Sequence, residues 1–156
     1  MKLRSDSFRN GAAMPAPHAL TAGGNRHPHL HWSDTPGGTQ SLALVGMLGD
    51  APDADFFLWS VVDLPPALMA LPAGALPEAP ETLMGGVRLR QGLNGYRRYG
   101  YHAPLPAQNA TRHYIFRIYA LDTPRLGLPP QFTGADVLDA IYGHIIDEAQ
   151  LIVAHT

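Results

Sequence analysis

Cysteine is absent from this chain, which removes disulfides, thiolate metal sites and thiol nucleophiles together and leaves the redox compartment open. Long apolar runs are missing too: nothing approaches the roughly eighteen residues that a membrane-spanning helix needs. The amino end, Met1 to Asp6, turns polar at once and shows no apolar run of signal-peptide length, so the expected location is the cytoplasm. There is little excess charge of either sign. A formal net charge of -2 gives no global basic field, so neither nucleic acid nor integral membrane association is expected. No glycine-rich phosphate loop precedes a helix and no nucleophile elbow occurs, which leaves nucleotide hydrolysis and serine-hydrolase chemistry unsupported. The chain implies no cofactor and contains no internal repeat.

Glycine and proline are plentiful, at 16 and 15 of 156 residues, while 46% of the chain is still hydrophobic. That combination predicts many turns between short strands around one core, in a single domain spanning 1–156. Many strands, one long connection and a late helix near the C-terminus make the fold class mainly β, a β-rich sandwich rather than alternating α/β units.

The most strand-like run is Arg112 to Asp122, where Tyr114 to Tyr119 are all aromatic, β-branched or Arg. Alternation puts Tyr114, Phe116 and Ile118 on one face of a central strand and Ile115, Arg117 and Tyr119 on the other. Ser41 to Leu48 reads as a strand buried on both faces, and Phe56 to Leu64 as another. Residues 65–86, with five prolines, read as a long surface connection containing at most one short turn of helix. Thr133 is the N-cap of a helix with Asp136 at the capping-box position, and Val137, Leu138, Ile141, Ile145 and Ala149 continue at helical spacing. Leu151 to Ala154 is a short apolar piece able to return as a strand.

Two constellations carry candidate chemistry. His27, His29 and His31 alternate along one predicted strand and would share a face, a pattern open either to metal ligation or to a polar solvent-facing surface. Asp50, Asp53 and Asp55 crowd one loop, where they serve as a general base, a hard-cation site or plain turn formers.

Several strings resemble, in order, the phosphatidylethanolamine-binding protein family, specifically its bacterial Raf kinase inhibitor-like branch. Gly24-Asn25 followed by Pro28-His29-Leu30-His31-Trp32 looks like G-x-N-x-S-P-x-L-x-W, and Pro36 to Leu44 like P-x-G-T-x-S-L-A-L. Pro52-Asp53-Ala54 resembles the centre of D-P-D-A-P, with Leu58-Trp59 where H-W is expected. Gly100 to Pro106 resembles the run ending in G-Y-x-G-P-C-P-P, and Tyr114 to Asp122 resembles the end of H-R-Y-x-F-x-x-Y-A-L-D. The resemblance covers most of Gly24 to Asp122. It implies an antiparallel β-sandwich with peripheral helices and a small anion pocket at one end, built from the D-P-D-A-P carboxylate, the H-W histidine, the G-P-C-P-P loop and the His and Tyr of H-R-Y.

Carried over by position, this chain keeps Asp53, Pro104, Pro106 and Tyr114, and departs elsewhere. Leu58 replaces the H-W histidine, Ala103 the loop glycine, Leu105 the cysteine, and Ala51 the first aspartate unless Asp50 substitutes through a local shift. Arg112 occupies the H-R-Y histidine position and His113 the arginine position. The ligand-binding set expected is thus Asp50, Asp53, Ala103, Pro104, Pro106, Arg112 and Tyr114. With Arg112 as a permanent bidentate donor, the leading expectation is a non-enzymatic binding protein for a small anion, phosphate or phospho-headgroup. A metal binder or metal-dependent enzyme on His27, His29 and His31 is the alternative. A third reading is a protein-interaction module with a protein partner and a decayed pocket. Homodimers are expected by analogy with bacterial relatives.

Overall fold

Two antiparallel sheets share one apolar layer, and the larger of them orders the strands β6-β7-β4-β3-β8-β9. In chain order the strands are β1 (Lys2–Arg4), β2 (Leu30–Ser33), β3 (Ser41–Leu48), β4 (Phe57–Leu64), β5 (Ala70–Leu71), β6 (Glu81–Met84), β7 (Val87–Gln91), β8 (Arg112–Leu121) and β9 (Ile145–His155). One helix, α1 (Gly134–Ile141), precedes β9, and β1-β2-β5 form the small second sheet. The computed structural model describes residues 1–19, 25–49, 56–104 and 110–155.

Leu3, Leu30, Trp32 and Leu71 of the small sheet meet Leu44, Leu64, Phe116 and Ile118 of the large one in the main core. On the opposite face of the large sheet, Ala43, Val45, Val62, Tyr119 and Leu121 pack with Phe132, Val137 and Ile141 from around α1. A sheet covered on both faces requires apolar residues at consecutive positions, which is why β3 and β4 read as continuous apolar runs rather than alternating ones. β8 is paired along its length with β3 and β9, so it is an interior strand as its composition predicts.

The connection 65–86 carries two strands, β5 and β6, where at most a helical turn is expected. Gly85 and Gly86, at φ of 59° and 80°, make the tight turn that pairs Met84 with Val87, a conformation that residues with a Cβ reach only at a cost. The amino end also holds a strand, β1, which its charged residues conceal.

The late helix is shorter than its spacing predicts. Thr133 and Asp136 do form a reciprocal capping box, but α1 stops at Ile141. Gly143, at φ 85°, turns the chain back, and Ile145 to Ala149 belong to β9. An apolar spacing of three and four residues continues by coincidence there, and the β-branched run Ile145, Ile146, Ile152 and Val153 is better served by pairing with β8. His144 lies outside the helix and meets Asp122 at 2.8 Å on the surface.

Gly92, just after β7, marks a close approach that fixes the following loop. A Cβ there would lie 2.7 Å from the Phe132 carbonyl oxygen and against Ser60 Oγ. Gly92→Ala is therefore expected to cost about 1–3 kcal/mol, read as a lower urea midpoint at unchanged m-value.

Candidate functional site at one end of the sandwich

Several chain segments converge where β8 begins. Leu48, the last residue of β3, pairs with Tyr114, and its N–H bonds the Phe56 carbonyl just before β4. Gly49 N–H donates to the His113 carbonyl at 2.8 Å. From the other side, the His102 N–H donates to the Leu58 carbonyl of β4 at 3.0 Å. Tyr101 to Pro104 are thereby laid across the same end. Burial pushes the Tyr101 phenol far above its ordinary range, and the nearby Tyr114 phenol adds to the shift. The Tyr101 hydroxyl is satisfied by the His18 carbonyl, 2.8 Å away.

Of the residues expected to bind a ligand, Ala103, Pro104, Arg112 and Tyr114 come to this end. Asp50, Asp53 and Pro106 lie outside the described residues, as do Asp55 and Leu105. Ala103 is 0% exposed and its N–H is taken by Asn25 Oδ1 at 2.6 Å; Pro104 is buried beside it. Leu58 is 0% exposed too. The two substituted positions therefore belong to the apolar core rather than presenting donors. Tyr114 is buried in the core layer.

Arg112 is the outward end of that face. It stands two residues from Tyr114 on a regular strand, so both side chains leave the sheet on the same side, and it is partly buried. No ion pair or hydrogen bond to the Arg112 guanidinium occurs among the described residues. His113 projects to the other side and does not replace the family histidine.

The three alternating histidines do not share one environment. β2 begins only at Leu30, and His27 turns inward before it, 1% exposed, with its ring stacked on Trp59 at 4.5 Å between centroids. Its Nε2 accepts from the Leu76 N–H at 2.9 Å, so the proton sits on Nδ1, which donates to the Pro28 carbonyl at 3.0 Å. Both ring nitrogens are committed to backbone. His29 and His31 lie apart from it, their rings 5.3 Å from each other beside Asp6. The shared metal face is thus overturned by the core position of His27, and no group of three His, Asp or Glu able to hold a metal exists among the described residues.

Sequence reasoning passed over His155. It ends β9 directly opposite Arg112 and is buried. Its signal was the alternation Leu151, Val153, His155, visible once the apolar piece at 151–154 is extended by one residue.

A two-sheet antiparallel sandwich with its candidate site at one end defines a β-sandwich protein of mixed arginine, tyrosine and apolar character at that end. The sequence profile of the family described as phosphatidylethanolamine-binding protein matches residues 4–155. The chain belongs to that family. It is 35% identical over 153 residues to a UPF0098 protein of Aquifex aeolicus, covering 97% of this chain and 86% of that one. A UPF0098 protein of Methanothermobacter thermautotrophicus is 36% identical over 152 residues, covering 97% and 96% of the two chains. The crystal structure of Escherichia coli YbcL, described as a new member of the mammalian family, superposes with a TM-score of 0.87 at 26% identity, over 99% of this chain and 96% of that one. Among the described residues no helix is long and apolar enough to cross a membrane.

The buried His27 makes stability depend on pH in a definite direction. Burial, the largest cause, lowers its pKa from 6.5 to about 4. Folding therefore favours the neutral ring: the contribution is complete above about pH 6.5 and is lost as pH falls toward 4. Protonation also removes the acceptor for Leu76. Urea unfolding should show the protein about 3 kcal/mol less stable at pH 4 than at pH 7 from this residue. His27→Gln should flatten that pH dependence, leaving the shares of groups such as His18 and His155, whose pKa values burial also lowers.

Proposed function

We propose that this protein is a non-enzymatic, cytoplasmic binding protein whose mouth at the start of β8 takes a small phosphate-bearing anion, free or as a phospho-headgroup. One observation supports the reading: Arg112, a partly buried residue on the core-facing side of β8 two positions from Tyr114, has no counter-charge among the described residues. Withdrawing a guanidinium from water is costly unless an anion or a set of acceptors compensates it. A phosphoryl group offers both charge and the paired oxygens that match the guanidinium fork.

Leu58 and Ala103 give the mouth an apolar floor where the family pattern has a histidine and a glycine. The charge for an anion must then come from the rim. Phosphate contacts would rest on Arg112, with the Tyr114 hydroxyl as a neutral neighbour, and the floor would exclude water from beneath them.

Binding to the folded state alone raises the melting temperature by linkage. Inorganic phosphate at about 10 mM, and separately phosphoethanolamine, should each raise the Tm by a few degrees if present well above Kd. Arg112→Ala should abolish both shifts while leaving the unliganded Tm within about 2 °C, because the substituted side chain is not in the core. A larger shift with phosphoethanolamine than with phosphate identifies a headgroup rather than the free ion. No shift with either compound overturns the anion reading and leaves the interaction-module alternative standing.

A further inference from the structure

β8 and β9 run antiparallel, with Arg112 opposite His155, Tyr114 opposite Val153 and Phe116 opposite Leu151. Directly opposed residues of an antiparallel pair send their side chains to the same face. Tyr114, Phe116, Leu151 and Val153 all lie in the core layer between the sheets. Arg112 and His155 therefore close that face at its last pair.

His155 is 9% exposed, and its Nε2 is fully buried with no hydrogen-bond partner among the described residues. A buried polar atom left unpaired costs about 1–3 kcal/mol, and folded proteins retain few of them. The other two such atoms, Ser60 Oγ and Thr82 Oγ1, are hydroxyls on β4 and β6. Of the three, only the imidazole stands opposite an arginine that also has no side-chain partner among the described residues. Valine or leucine would fill the same position with no polar cost, as Val153 and Leu151 do two and four pairs further in. With its proton on Nε2, the ring would lack the same thing as the guanidinium among the described residues, an acceptor.

We propose that His155 is a ligand-contact residue of the mouth, its Nε2–H donating to one oxygen of a phosphoryl group whose other oxygens engage Arg112. The inference rests on the anion-binding reading and sharpens it. Donors rooted on two neighbouring strands reach different oxygens of one tetrahedral anion, whereas a carboxylate, with two oxygens, satisfies the arginine fork alone. Phosphate and phosphomonoesters are thus preferred over acetate. Burial lowers the His155 pKa, which keeps the ring a neutral donor at neutral pH.

The test is calorimetric titration of inorganic phosphate, phosphoethanolamine and acetate into the wild-type protein, His155→Leu, His155→Gln and Arg112→Ala. His155→Leu should lose about 10-fold in phosphate affinity, the equivalent of one net hydrogen bond, with little change for acetate. His155→Gln, whose amide keeps an N–H at that depth, should recover most of the loss. In the wild-type protein the ¹⁵N resonance of His155 Nε2 should move in step with phosphate saturation. Phosphate binding by His155→Leu within 2-fold of wild type, with Arg112→Ala inactive, overturns the role of His155 and leaves the anion site intact. Failure of the wild type to bind phosphate removes both. If His155→Leu does not fold, an Nε2 resonance unmoved at phosphate saturation overturns the proposal by itself.

Discussion

The register of β8 against β3 and β9 is the constraint on which the molecule depends. Eight consecutive pairs hold β8 to β3, and the ladder to β9 runs from Arg112 with His155 to Leu121 with Ile145, with one irregularity near its far end. Since side chains alternate with a period of two, a slip by one residue would send Phe116 and Ile118 to the wrong layer and replace Arg112 and Tyr114 at the mouth by His113 and Ile115. Placing large apolar side chains in both layers makes such a slip prohibitive. The chemistry of the mouth is therefore set by the same packing that holds the sheet.

That coupling gives the swapped Arg112-His113 order a physical meaning. In the family pattern a histidine precedes an arginine, and here the order is reversed on a strand whose register has no bulge near its start. The arginine consequently occupies the core-facing position and the histidine the outer one. At the same end, Leu58 and Ala103 are sealed within the apolar layer. The buried polar groups nearby, His27 with Leu76 and Pro28, and Trp59 with Gln91, are paired with protein atoms and serve the scaffold.

Much of the scaffold was legible because burial on both faces leaves a plain mark. Ser41 to Leu48 is β3 to the residue, and Phe56 to Leu64 overshoots β4 by one. The capping box at Thr133 and Asp136 is local chemistry and needs no tertiary information. The end of that helix was not legible: Ile145 and Ala149 keep helical spacing, and only the partner strand β8 decides for pairing. Short strands with charged or mixed residues, β1 and β5, gave no local signal, since their pairing with β2 supplies what propensity does not. Alternation failed for His27 because it assumed a strand beginning three residues too early. At the site, Ala103, Pro104, Arg112 and Tyr114 were found by position in a pattern, while His155 was not, because its role depends on standing across from Arg112 some forty residues away in sequence.

Arg112, on the core-facing side of β8 and without a counter-charge among the described residues, is proposed to meet an anion. A crystal structure grown with phosphate at low millimolar concentration tests it most directly. The expected result is a tetrahedral anion at the mouth within hydrogen-bonding distance of the Arg112 guanidinium, above a floor that includes Leu58 and Ala103. An Arg112 side chain directed into solvent, or a mouth filled by the protein's own side chains with no anion present, would contradict it.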